Sequence, residues 1–188
     1  MKPMAKKSPK TKKTISAEKR LAALRASIDR LDARLLALLN QRSRMALAIG
    51  KIKHRAGGAL YVPSREQAVL AQLRKRNRGP LSNASLEAIY REIMSAALSL
   101  EGALRIGVAG AARGELLLAA RNHFGRSARY EEAGAPGSAI KRMLAGRWNA
   151  LCMAESDLPA ACAALQSGRL TVCGRPARGS VLLTRGES

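Results

Sequence analysis

Between Glu18 and Arg55, apolar residues return every seven positions on two registers. Leu24, Leu31, Leu38, Met45 and Ile52 form one without a break; Leu21, Ile28, Leu35 and Ile49 form the other, with Arg42 in its fourth place. This spacing predicts one long amphipathic helix, and its seam asks for a partner helix. "AGGALYVPS" ends the pattern. Ser64, with Gln67 three residues on, reads as a capping box that opens a second helix. That helix carries Val69, Leu70 and Leu73 on one face and ends near "NRGP". Ser82 or Asn83 caps a third, with Leu86, Ile89, Tyr90, Ile93, Met94, Ala97 and Leu100 at helical spacing.

From residue 104 the period changes. Short runs ("RIGVAG", "ARYEEAG", "NALCMAE", "LTVCG", "SVLLT") alternate with helical stretches ("ELLLAARNHF", "GSAIKRMLAG", "LPAACAALQSG"). Such alternation predicts a small α/β lobe with a partly parallel sheet. The expected organisation is a basic disordered tail over 1–17, an all-helical domain over 18–103 and an α/β lobe over 104–188.

Each helix puts a charge where its neighbours are core. Arg42 stands in the seam, and Lys53, eleven residues on, faces the same way ~16 Å along the axis. Glu66 falls in line with Leu70 and Leu73, with Arg65 beside it, and Glu101 continues the stripe of Leu86, Tyr90 and Ala97. Unpaired buried charge is costly, so these groups are expected to meet each other or a ligand. An internal salt-bridge cluster satisfies that demand. So does an anion, since cations outnumber carboxylates in the set. Arg25 lies ~25 Å from Arg42 and ~42 Å from Lys53 along one helix, more than a metabolite spans. If it serves the same site, it comes from a second chain, which points to a homodimer.

Composition adds charge and compartment. The net charge is +21; residues 1–17 hold six lysines and no acid, and the rest of the excess is spread along the chain. Basic chains favour polyanions or small anionic ligands. Aromatics are only 3%, so the core is built mainly of Leu, Ile, Ala and Met. Cys152, Cys162 and Cys173 show no CxxC spacing and are odd in number, as expected of reduced thiols in a cytoplasmic protein. No apolar run is long enough for a membrane span, and no apolar stretch follows the lysines as in a signal peptide.

Residues 20–103 resemble the all-helical (AroQ-type) chorismate mutases, in "LRASIDRLDARLLALLNQRSRMALAIGKIK", "YVPSREQAVL" and "IYREIMSAALSLE". The resemblance implies a fold of one long and two shorter helices, intertwined as a dimer. It implies conversion of chorismate to prephenate, on the way to phenylalanine and tyrosine, with no metal or cofactor. Arg42 and the second chain's Arg25 would grip the substrate carboxylates. Lys53 would bind the ether oxygen and a carboxylate, and Glu101 would donate a hydrogen bond to the ether oxygen. Glu66 and the backbone at Val62 would hold the ring hydroxyl, Arg65 would support the anionic pocket, and Ala97 would line its carboxylate end. Val62 stands where an Asp is frequent, and Ala97 where a Ser can occur.

Residues 104–186 resemble a degraded first lobe of prephenate dehydratase. Where that family has Gly-Pro-x-Gly-Thr-Phe-Ser-x-x-Ala-Ala, Gly110, Ala119 and Ala120 remain, and the Thr, Phe and Ser positions are Gly114, Glu115 and Leu116. A Glu-Asn-Ser motif survives at best as Glu155-Ser156-Asp157. The second lobe, with its Thr-Arg-Phe motif, has no counterpart in these residues, so dehydratase activity is not expected. Two other readings stay open. An isochorismate pyruvate-lyase shares the fold and a similar cationic pocket. A basic nucleic-acid-binding protein would use the lysines, but there is no zinc pattern or aromatic stacking set to support it.

Overall fold

A computed structural model describes residues 9–56, 58–102 and 104–186, with side chains from Ala17 onward. Three helices come first: α1 (Pro9–Arg55), α2 (Pro63–Arg76) and α3 (Asn83–Glu101). An alternating lobe follows, of β1 (Arg105–Ala109), α4 (Arg113–Phe124), β2 (Arg129–Gly134), α5 (Pro136–Leu144) and β3 (Ala150–Ala154). A 3₁₀ turn (Glu155–Ala161), α6 (Cys162–Gln166), β4 (Leu170–Gly174) and β5 (Ser180–Arg185) complete it. The all-α segment followed by an α/β lobe is the predicted fold class. No helix among the described residues is long and apolar enough to cross a membrane.

Two local expectations are corrected. Residues 9–17, read as disordered tail, are helical and continuous with the rest of α1. Extending a formed helix costs far less than nucleating one. Residues 1–8 of the expected tail lie outside the described residues. The capping box at Ser64 does not form: α2 starts one residue earlier, at Pro63, with Val62 as N-cap and no side-chain cap. Proline at the first position has no N–H to satisfy, so the start needs no side-chain acceptor there. Ser82 does cap α3, accepting from the Ser85 amide at 3.0 Å.

The first compact unit ends at Arg44 and the second begins at Met45. In the first, Leu21, Leu24, Ile28, Leu31, Leu35 and Leu38 are 48–60% exposed in the single chain. The predicted seam is therefore bare along this part of α1.

In the second unit the strands run in the order β2-β1-β3-β5-β4. β1 is parallel to β2 and β3, while β5 is antiparallel to β3 and β4. Successive strand residues alternate between two cores, as the pleat requires. Leu151, Met153, Val181 and Leu183 face Ile140 and Met143 of α5, together with Trp148. Ala150, Cys152 and Leu182 face Leu116, Ala120 and Phe124 of α4. Tyr61, from the link between α1 and α2, is buried in this second core and stacks edge-on against Phe124 at 5.1 Å. Gly125, with φ 77°, ends α4 where α3 comes close; a Cβ there would stand 2.6 Å from that of Ser95. These contacts seat the α2–α3 region on the α4 face of the lobe.

Candidate active site

Lys53 occupies the last turn of α1 and Glu101 ends α3. Though the two make no ion pair within 4.0 Å, the Lys53 ammonium is near enough to favour the charged form of the Glu101 carboxyl. Burial opposes this and wins, holding Glu101 above the usual carboxylate range. Lys53 Nζ also reaches the Ala59 carbonyl at 3.4 Å. Glu101 borders a cavity of ≈ 350 Å³ with Leu47, Gly50, Lys51 and Arg55. Gly50 makes its position feasible, since a Cβ there would lie 2.7 Å from both Cγ and Oε2 of Glu101. Ala97 is one turn before Glu101 on α3 and is buried.

Val62, half-buried, caps α2; its carbonyl accepts from the amides of Arg65 at 3.1 Å and Glu66 at 3.3 Å. Arg65 is exposed. Glu66 is drawn to a second group. Burial raises its pKa, against a hydrogen bond from Tyr61 and the charge of Arg91. The Tyr61 hydroxyl lies 3.4 Å from His123 Nε2 of α4. Burial, then Arg91, depress His123 to about 4, so its ring is neutral at pH 7. Burial also pushes the Tyr61 phenol well above its ordinary value, so it keeps its proton. Arg91 pairs with Glu87 at 3.2 Å, and Arg74 with the same carboxylate at 2.7 Å.

Of the residues singled out from sequence, then, Lys53 and Glu101 form one group, with Ala97 one helical turn away. Glu66 belongs to another, with Tyr61, Arg91 and His123. On α1, Arg42 is half-buried and Arg25 exposed. Sequence reasoning missed Gly50, Tyr61 and His123. For Gly50 there was a signal: a glycine inside a long helix weakens it, which asks for a packing reason. His123, on a lobe helix, carried none. Among the described residues no cluster of three or more His, Cys, Asp or Glu side chains could hold a metal. The three cysteines are free.

Residues 24–102 match the family described as chorismate mutase type II. A bifunctional chorismate mutase/prephenate dehydratase of Neisseria gonorrhoeae is 42% identical over 104 residues, 55% of this chain and 28% of that protein. A protein of the same description from Stutzerimonas stutzeri is 35% identical over 134 residues, 69% of this chain and 37% of the relative. A match of 134 residues exceeds the 103 before Leu104, so it runs into the α/β lobe. A solved chorismate mutase from Thermus thermophilus is 36% identical, with 44% of this chain and 93% of that one covered and a TM-score of 0.43. The chain spans only 28–37% of the length of the bifunctional relatives.

Proposed function

Since residues 24–102 belong to the chorismate mutase type II family, we propose that this chain rearranges chorismate to prephenate. The observation that carries the reading is Glu101 at the edge of a cavity also lined by Lys51 and Arg55, its carboxyl raised by burial and acted on by the nearby Lys53 charge. The rearrangement needs no nucleophile or net proton transfer. Negative charge gathers on the ether oxygen as its C–O bond breaks, and the substrate must be held in a compact diaxial shape. A cation and a proton donor fixed where that charge develops lower the barrier, and a preformed pocket holds the shape. Lys53 supplies the cation and protonated Glu101 the donor. Arg42, with Arg25 of a second copy, would clamp the carboxylates, and Val62, Arg65, Glu66 and Ala97 would complete the pocket. The bare seam of α1 supports a homodimer, which its apolar residues would bury. Loss of chorismate absorbance, with the product identified as prephenate, tests the activity directly. Pyruvate as the product from isochorismate would move the assignment to the lyase.

The lobe is proposed to be non-catalytic and the protein cytoplasmic. At the carboxyl end of β1, where open α/β sheets take ligands, the Asp157 carboxylate crowds Gly110, at 3.1 Å from where a Cβ would stand. Leu116, at a position where the dehydratase family has a polar residue, is buried in the core.

The role of Glu101 sets a pH dependence. A carboxylate would repel the developing charge, so the working form is protonated. As pH rises through its elevated pKa that form is lost, and kcat/KM is expected to fall. Glu101→Gln cannot ionise, so its profile is expected to be flatter. Profiles from pH 5 to 9 for both proteins check this; a level wild-type profile contradicts it.

Gly50→Ala separates stability from turnover. Alanine in a helix interior is worth about 0.5–1 kcal/mol over glycine. Here the new methyl would displace Glu101, and misplacing a catalytic group by an ångström is costly. The expected result is a kcat/KM loss on the order of tenfold or more, with thermal stability unchanged or higher. Wild-type turnover in Gly50→Ala would remove Glu101 from the mechanism.

A further inference from the structure

We propose that His123 of the α/β lobe, acting through Tyr61, is a positioning residue for Glu66, so that the lobe sets the geometry of the mutase site. The proposal rests on the mutase reading, in which Glu66 receives the substrate's ring hydroxyl. Tyr61 is the hinge of the arrangement. Its ring is buried in the α4-side core and packs edge-on against Phe124 at 5.1 Å, and His123 packs edge-on against the same Phe124 ring at 4.8 Å. The Tyr61 hydroxyl lies 3.4 Å from His123 Nε2, and Glu66 lines the same cavity. Tyr61, Glu66, Arg91 and His123 line one cavity of ≈ 580 Å³, formed by α2, α3 and the lobe.

Proton counting orients the chain of contacts. A neutral imidazole has one N–H, and a phenol one O–H. With the proton on Nε2, His123 donates to the phenol oxygen, and the single phenolic proton is left for Glu66. One carboxylate oxygen is thereby held and the other stays free for a substrate hydroxyl. Arg91 is tied to Glu87 through Nη2, while its buried Nε has no partner of its own. Supporting groups of this kind fix a binding residue that would otherwise swing between partners.

Steady-state kinetics on the full chain tests the relay. Tyr61→Phe keeps the ring and its stacking but removes the hydroxyl. It is expected to raise KM for chorismate by roughly tenfold, the scale of one hydrogen bond to a charged group, with kcat nearly unchanged. His123→Phe is expected to do the same, and His123→Gln, which keeps an N–H donor, to recover most of the loss. In a Glu66→Ala background neither change should have a further effect. If Glu66→Ala raises KM while Tyr61→Phe and His123→Phe do not, the relay is wrong and the mutase site stands. If Glu66→Ala leaves KM unchanged, Glu66 has no part in the site and both readings of it fall. A loss in His123→Phe that persists in His123→Gln, with a lowered Tm in both, assigns His123 to packing and overturns the positioning role.

Discussion

Replacing Arg42 with leucine is expected to lower kcat/KM for chorismate by roughly 10²–10³-fold while the chain stays folded. Arg42 stands where Leu21, Ile28, Leu35 and Ile49 define an apolar seam. A charge in such a seam weakens helix pairing unless it is paired or liganded, so leucine should hold or raise the melting temperature. Loss of turnover with gain of stability is the mark of a residue kept for binding. Activity retained in Arg42→Leu would assign the arginine to a structural charge cluster. The shared-site geometry makes a sharper form of the test. Arg25→Ala and Arg42→Leu proteins should each be inactive, and mixing them after unfolding should restore activity, because a mixed dimer holds one intact site. No recovery on mixing would place both arginines of a site on one chain.

Replacing Lys53 with methionine is expected to cost a similar factor, roughly 10²–10³ in kcat/KM, and to leave a signature in the remaining activity. Lys53 counteracts the burial that raises Glu101. Without the ammonium, Glu101 should hold its proton to higher pH. The descending limb of kcat/KM against pH is therefore expected to move upward in Lys53→Met. A limb that stays in place, or moves down, would mean that the titrating group is not Glu101. Glu101→Gln should abolish the limb in either background.

The two halves of the molecule were legible in sequence for different reasons. Heptad spacing and turn residues located α1, α2 and α3 because each buries one face and leaves the other in water. The lobe strands β1, β3 and β5 read as short apolar runs because both of their faces are covered. What escaped was decided by tertiary contact. Gly50 matters because Glu101, fifty-one residues away in the chain, lies across it. Tyr61 sits in an irregular link with no period to mark it, and only docking on Phe124 gives its hydroxyl a direction. The Ser64 cap failed because Pro63 began the helix first. Glu66 shows the limit of reading one face of a helix. Its alignment with Leu70 and Leu73 predicted burial, and it is half-buried. Its neighbours, Tyr61 and Arg91, lie outside α2 and could not be read from that alignment.

The place of β5 in the sheet bears on how the protein is made. It is the last strand of the lobe in chain order, yet it lies between β3 and β4, with Val181, Leu182 and Leu183 fully buried. During synthesis β3 waits with an open edge while about thirty residues (155–185) are added, and it is paired only when these three arrive. The helical segment emerges well before that point. Until those three residues arrive, a nascent chain combines a formed helical half with an exposed strand edge, a state prone to aggregation and proteolysis. Production at lower translation speed lengthens that interval, and deletion of Ser180–Arg185 would make it permanent.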